Sequence, residues 1–308
     1  MILAEEKCDI RYMDSSGLNC VSRCPARFYF ERCIGLRLPD SNMINPDYGT
    51  CIHAALPFAY DDVNKAHKVF QREWKKMGYG EDDPKMNSER ALAMLEDFHS
   101  LRRSDSPASP YVPLEPPGGR LEVEGKYSDA EVPFLMDIGA RYPFIGRIDR
   151  LVRLKADGKT WPLDYKTSSE VSARIVGNFN VSLQCISYTI AASKFLNARA
   201  PGMLLEFLRK SARNTETLLA PVFVTDRWRE RFVSYAIEQA ENIYKYNEEQ
   251  LWPQRLTGCA PYGMFHSPGF QCEYLKLCNL PDWTAGRRWY KEEIWHPFEV
   301  LETERVKL

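Results

Sequence analysis

Gly146-Arg147-Ile148-Asp149 is followed, after the turn Ala156-Asp157-Gly158-Lys159, by Asp164-Tyr165-Lys166. This stretch decides the fold. Phe144 to Leu154 alternates, with Ile148, Val152 and Leu154 on one face and Asp149, Leu151 and Arg153 on the other, as a half-buried strand does. Trp161 to Thr167 reads as a second strand, and the Asp-Gly turn between them makes a hairpin. Side chains two apart on a strand share a face, so Asp164 and Lys166 point the same way. Asp149, on the neighbouring strand, brings a second carboxylate to the same small site.

Working outward, Leu121 to Tyr127 reads as an earlier strand and Val181 to Leu196 as a helix, with Leu183, Ile186 and Ile190 at helical spacing. Met203 to Arg209 and Thr217 to Val224 resemble a hairpin, and Asp226 to Tyr246 a long helix. Upstream, Ser15-Ser16 reads as a helix start and Leu18 to Ile34 as a helix interrupted at Pro25. Tyr48 to Met77 reads as helical with a break at Pro57, and Asn87 to Arg102 as a third helix. Ser104 to Gly119 is a Ser-, Pro- and Gly-rich linker, and the chain from Leu251 onward is rich in Pro, Gly and Cys. Helices, then strands, then helix, hairpin and helix predict an α/β fold: a mixed sheet flanked by helices. The expected divisions are residues 1–119 as a helical N-terminal part, 120–250 as the core and 251–308 as a cysteine module and tail.

Two carboxylates beside an ammonium suit phosphodiester hydrolysis. A hard cation such as Mg²⁺ or Mn²⁺ prefers carboxylate oxygen and can offset charge developing on a phosphate. A lysine adjacent to it can stabilise that charge further. A bare D-x-K is common, and its plainer alternative is an exposed ion pair on a surface hairpin. The surrounding residues decide between these.

Gly146 to Asp149, the Asp164-Tyr165-Lys166 triplet and the pair Gln184 and Tyr188, four apart on one helix face, resemble the RecB-like branch of the PD-(D/E)xK nucleases. The resemblance implies a restriction-endonuclease-like core. In it Asp149, Asp164, Lys166 and Glu124, on the first core strand, are catalytic. His53 and the backbone carbonyl of Tyr165 join Asp149 and Asp164 around Mg²⁺ or Mn²⁺. Gln184, Tyr188 and Arg147 contact DNA. An isolated histidine such as His53 is more often an ordinary core residue, and Gln184 and Tyr188 taken alone are a polar patch.

Nine cysteines lie mostly at the two ends, with Cys185 alone in the middle. Such a distribution suggests a metal centre tying the ends together rather than a disulfide framework. Cys24-Pro25-Ala26-Arg27-Phe28-Tyr29 resembles the N-terminal cysteine motif of the iron–sulfur members of this family, the AddB-like subunits and the CRISPR-associated adaptation nuclease. The resemblance implies a 4Fe–4S cluster on Cys24, of the N-terminal part, with Cys259, Cys272 and Cys278 of the C-terminal module. Five residues separate Cys272 from Cys278, as in the family, but twelve separate Cys259 from Cys272, where the family has two. Spacing alone leaves Zn²⁺ open as the alternative metal, and Cys20 as the alternative to Cys24. Cys33, Cys51 and Cys185 fit buried free thiols.

The chain has 308 residues, 41 basic and 42 acidic side chains, and 44% hydrophobic residues, enough for a sizeable core. The net charge of −1 neither announces nor excludes a nucleic-acid partner. Basic clusters at Arg23, Arg27 and Arg32, at Arg147, Arg150 and Arg153, and at Arg209, Lys210 and Arg213 each read first as solvated faces. No apolar run reaches bilayer length, and Met1 to Ile10 lacks the pattern of a secretory signal, so no membrane partner and a cytoplasmic location, in a cell or in an infected host, are expected. No phosphate-binding loop accompanies the site. The resemblance implies a metal-dependent exonuclease acting on single- or double-stranded DNA ends, alongside recombination, repair, replication or phage proteins. The alternatives are a non-catalytic DNA-binding or scaffold protein on the same fold, and a redox protein built around the cluster.

Overall fold

A computed structural model describes residues 1–38, 44–103, 106–114, 122–123, 126–127, 132–209, 216–259, 271–293 and 306–307. The chain divides into two compact units. One comprises residues 42–134 and 147–229, the other residues 1–41, 135–146 and 230–308. The chain passes between them inside the strands Val132–Met136 and Phe144–Ile148.

The first unit holds a five-stranded mixed sheet. Its strands are β1 (Tyr111–Pro113), β2 (Arg150–Leu154), β3 (Thr160–Ser168), β4 (Gly202–Arg209) and β5 (Glu216–Phe223), in the order β5-β4-β3-β2-β1. β2 and β3 pair antiparallel, with Arg150 opposite Leu163, as the hairpin reading requires. β3 and β4 run parallel, with Asp164 opposite Leu205. A parallel neighbour needs a crossover, and the helix Leu183–Phe195 lies within it.

The helices α1 (Ile44–Ala59), α2 (Val63–Met77) and α3 (Ser88–Arg102) precede the sheet, and Leu183–Phe195 is α4. Asp62 caps α2 by accepting from Lys65 N at 3.0 Å, and Gly78 ends it at φ +76°. Asn87 caps α3 by accepting from Arg90 N at 2.8 Å. The break expected at Pro57 falls later, because α1 runs through Pro57 to Ala59. Pro57 sits in the last turn and removes only the hydrogen bond to the carbonyl of His53, a loss that a helix about to end tolerates. Trp161, Leu163 and Tyr165 on β3 join Tyr48, Ile52, Phe70, Trp74 and Phe98 from α1–α3 in one core. Alternation therefore turns Asp164 and Lys166 to the opposite face, where Gln184 of α4 meets them.

In the second unit, Asp14 rather than Ser15 or Ser16 caps the helix Ser15–Arg23, accepting from Gly17 N at 2.6 Å. The helix stops at Cys24, whose backbone is extended at φ −160°, the conformation that a following proline imposes. Phe28 and Tyr29 stack on Trp252, and Phe30 packs against Tyr274 and Trp283. These rings bring residues from both ends of the chain into one aromatic core. No described helix is long and apolar enough to cross a membrane.

Candidate nuclease site and thiol cluster

Asp164 is 1% exposed. Its Oδ2 lies 2.6 Å from Lys166 Nζ as a close ion pair, but without a directed hydrogen bond. Its Oδ1 accepts from Gln184 Nε2 at 2.9 Å, and Lys166 Nζ donates to Gln184 Oε1 at 3.1 Å. Gln184 thus fastens both members of the D-x-K pair to α4. Asp149 Oδ2 accepts the main-chain N–H of Tyr165 at 2.8 Å and lies 3.5 Å from His53 Nδ1. Burial, and then the charge of Asp164, push Asp149 up to about 6, against the opposing pull of His53, the Tyr165 N–H and Lys166. Burial works against the charge of Lys166, but Asp164 and Asp149 outweigh it and raise its pKa.

The chain therefore brings together Asp149, Asp164, Lys166, Gln184, His53 and Tyr165. Tyr188 belongs to the same group: it hydrogen-bonds Gln184 and the backbone of Arg147 and feels both carboxylates, though burial is the main reason its pKa is raised. Its ring meets Phe134 edge-on at 5.5 Å. Arg147 is exposed and, with His53, Tyr165 and Lys166, lines a cavity of about 800 Å³ bounded on the other side by α1 and α2. Glu124 lies outside the described residues.

The donor set fits a hard divalent cation. Two carboxylates repel across one site, and Asp164 Oδ2 is buried without a hydrogen-bond partner. Among the described residues, no group of three or more His, Cys, Asp or Glu side chains is arranged to hold a metal ion.

Behind the site runs a polar chain that sequence reading missed. Tyr165 Oη is 2.6 Å from Tyr60 Oη, which is 2.9 Å from Tyr111 Oη. Tyr111 donates to Glu206, and Arg102 Nε donates to the other Glu206 oxygen at 2.5 Å. Because the Tyr111 proton goes to the carboxylate, Tyr60 donates to Tyr111 and Tyr165 to Tyr60. The Arg150 guanidinium lies 4.1 Å from the centre of the Tyr60 ring. Arg150 is 2% exposed, so the expected solvated face of Arg147, Arg150 and Arg153 turns inward at its middle member. No spacing in the sequence joins these residues. They come from two helix ends and four strands, and each resembles an ordinary polar position.

The second unit gathers the four expected thiols. Cys259, Cys272 and Cys278 are pushed up mainly by burial, and each also feels Cys24. Cys272 and Cys278 feel Cys259 as well. Arg255 N donates to Cys24 Sγ at 3.5 Å, and Cys272 N donates to the Cys259 carbonyl at 2.9 Å. A Cβ on Gly258 would stand 2.7 Å from the Arg23 carbonyl and 3.0 Å from Cys24 Cβ, so glycine is what lets the two chain ends approach here. Cys20 instead faces Glu31, 3.7 Å away. Cys51 and Cys185 are buried free thiols as expected, whereas Cys33 is bonded to Cys8. The local sequence around Cys33 carried no signal for a partner 25 residues away.

A crystal structure from Eubacterium rectale, of a protein assigned provisionally as an exonuclease, matches with a TM-score of 0.50 at 12% identity, covering 87% of this chain and 93% of that one. At that identity the likeness shows the fold. The structure of SSO0001 covers 86% of this chain and 89% of its own, at 12% identity and a TM-score of 0.31. No curated protein matches the chain. The family model of the PD-(D/E)XK nuclease superfamily matches residues 15–279, a span that includes every expected site residue from Cys24 to Cys278. The chain belongs to the PD-(D/E)XK nuclease superfamily.

Proposed function

We propose that the protein is a Mg²⁺- or Mn²⁺-dependent deoxyribonuclease that removes nucleotides from DNA ends. The observation that carries this reading is the joining of Asp149, Asp164 and Lys166 in one site, with Gln184 bonded to both members of the D-x-K pair. Asp149, Asp164, the Tyr165 carbonyl and His53 would hold the cation, and Glu124 would be a further catalytic acid. When bound, the cation supplies electrostatic stabilisation of charge developing on the scissile phosphate. Lys166 keeps its proton and adds a fixed positive charge where that phosphate sits. Gln184 keeps Lys166 and Asp164 in register, and Tyr188 steadies Gln184; both stand beside the DNA path with Arg147. The alternative, a non-catalytic DNA-binding scaffold, is disfavoured because a decayed site has no reason to keep two mutually repelling carboxylates beside a half-buried lysine.

A 4Fe–4S cluster on Cys24, Cys259, Cys272 and Cys278 completes the proposal. Thiols that feel one another suit one shared metal centre, and the choice of iron over Zn²⁺ rests on the resemblance of the Cys24-Pro25 motif and of the Cys272–Cys278 spacing. Its role is structural, linking the chain ends. The protein would act in the cytoplasm of a cell or an infected host, with recombination, repair or replication proteins as partners. Digestion of end-labelled single-stranded and duplex DNA, with each metal in turn, tests the reading. Stepwise loss of terminal nucleotides supports it; binding without cleavage in either metal selects the scaffold.

A further inference from the structure

Asp149 and His53 are fastened to different elements. Asp149 hangs from β3, accepting the Tyr165 N–H at 2.8 Å, while His53 is carried by α1. Their 3.5 Å separation is therefore set by how closely α1 lies against β3. His53 meets Tyr165 there, edge-on, with ring centroids 5.9 Å apart. One helical turn earlier, Gly49 is buried against Thr167, two residues further along β3. Four helical residues advance about 6 Å and two strand residues about 6.6 Å, so α1 and β3 run antiparallel and in step from one contact to the other. A Cβ on Gly49 would stand 2.9 Å from Thr167 Oγ1, where ordinary contact begins at 3.4 Å. Among the described residues, that hydroxyl is the one group off α1 within 4 Å of the position. Thr167 is β-branched, so its side chain has little freedom to turn away.

We infer that Gly49 is a positioning residue for the candidate metal site: its missing side chain lets α1 approach β3 closely enough for His53 to reach Asp149. The inference rests on the nuclease reading above for the role of His53, and it adds a residue that acts through that ring without touching metal or substrate. Inside a helix glycine is less favourable than alanine, so helix formation alone gives no reason for it at this position. The close approach does. Alanine would force α1 and β3 apart by about 0.5 Å, the shortfall from ordinary contact. Metal–ligand distances are held to within about 0.2 Å, so a shift too small to break the core is large at His53.

Mn²⁺ titration by calorimetry tests this on wild type, Gly49→Ala, Thr167→Ala, His53→Ala and the two double variants that combine Gly49→Ala with each of the others. Gly49→Ala should weaken Mn²⁺ binding about tenfold, the scale for groups that orient a metal ligand. Thr167→Ala should bind as wild type does, and adding it to Gly49→Ala should restore affinity to within about twofold. In the His53→Ala background, Gly49→Ala should change nothing further. Undiminished affinity in Gly49→Ala, with the higher melting temperature that alanine gives an ordinary helix position, would overturn the inference. So would a loss that Thr167→Ala does not repair, or one that persists without His53. If Gly49→Ala does not fold, the double variant with Thr167→Ala decides: wild-type affinity supports the inference, and lost affinity or an unfolded chain overturns it. Cleavage of DNA by wild type without this pattern would sink the inference alone. The pattern without cleavage would sink the nuclease reading and leave the role of Gly49 standing, and a wild type that binds no Mn²⁺ would remove both.

Discussion

The hydroxyl of Tyr165 lies 2.6 Å from that of Tyr60, while the main-chain N–H of the same tyrosine donates to Asp149 at 2.8 Å. Tyr165 stands between Asp164 and Lys166 on β3, so one residue ties that strand both to Asp149, just before β2, and to the buried chain ending at Glu206 and Arg102. Burial pushes Tyr60 up to about 12 and Tyr111 and Tyr165 well above the ordinary tyrosine range, so all three hydroxyls stay protonated and keep their donor order. Tyr60→Phe should interrupt the chain with almost no change in volume. It leaves Tyr165 without an acceptor, at a stability cost of about 1–3 kcal/mol. If the chain positions Asp149, kcat falls about tenfold, KM for DNA stays within about twofold, and half-saturation shifts to higher Mn²⁺. A lower melting temperature with unaltered kcat and metal dependence would show a purely structural role.

Asp164→Ala and Lys166→Ala separate catalysis from folding. Asp164→Ala removes a carboxylate that the cation needs and should leave no measurable cleavage. Lys166→Ala leaves the Gln184–Asp164 bond in place and should lower cleavage roughly 10²- to 10³-fold, the scale for one preorganised charge at the transition state. Circular dichroism of both should match wild type. Near-normal cleavage by Lys166→Ala would remove it from the catalytic set.

Gln184→Ala frees both ends of the D-x-K pair from α4. Loss of two hydrogen bonds to charged groups should slow single-turnover cleavage by about 10- to 100-fold, with Mn²⁺ affinity reduced far less than in Asp164→Ala. Calorimetry with Mn²⁺ checks the second half. Equal losses of metal affinity in Gln184→Ala and Asp164→Ala would make Gln184 part of the metal site itself.

Asp149 carries a pH signature. Its folded pKa of about 6 stands above the ordinary 3.8, so without metal the folded state holds its proton more tightly than the unfolded state does. That contribution to stability is fully present below pH of about 4 and is lost as pH rises through about 6, at most about 3 kcal/mol in all. Metal-free wild type should therefore lose melting temperature relative to Asp149→Asn across this window. Mn²⁺ needs the ionised carboxylate, so its apparent affinity should fall about tenfold per pH unit below the Asp149 pKa. Parallel pH profiles for the two proteins would detach the shift from Asp149.

The Asp-x-Lys hairpin and the Gln184–Tyr188 helix face were legible because their signals are local: strand alternation puts Asp164 beside Lys166, and a four-residue helical step aligns Gln184 with Tyr188. The α1 break was misplaced because sequence marks Pro57 but not how few hydrogen bonds remain for it to disrupt. Tyr60, Tyr111, Glu206 and Arg102 were invisible because hydrogen bonds across 51 to 105 residues leave no periodic trace. Glu206 carried no mark within the segment that reads as a hairpin strand, yet it is fully buried on a strand with a neighbour on each side. Gly258 was equally silent, since its value is the close approach of a segment far away in sequence.

The thiol site gives the last prediction. Cys24 reaches Cys259 across the whole nuclease core in sequence, so a cluster there closes a very long loop and should stabilise the fold by several kcal/mol, by analogy with a long-loop crosslink. Protein purified without oxygen should be brown, with broad absorption near ~400 nm. Cys272→Ala and Cys278→Ala should lose colour and melting temperature together, and Cys185→Ala, buried in α4, should keep the colour. Gly258→Ala retains every thiol but places a methyl group 2.7 Å from the Arg23 carbonyl, so it should also lose iron if the Cys24–Cys259 approach builds the site. Cys20→Ala should keep its iron, because Cys20 faces Glu31. Iron and acid-labile sulfide measured on the five variants decide the matter. One zinc per chain in colourless protein would replace the cluster but keep the crosslink, and four freely titrating thiols in native protein would remove both.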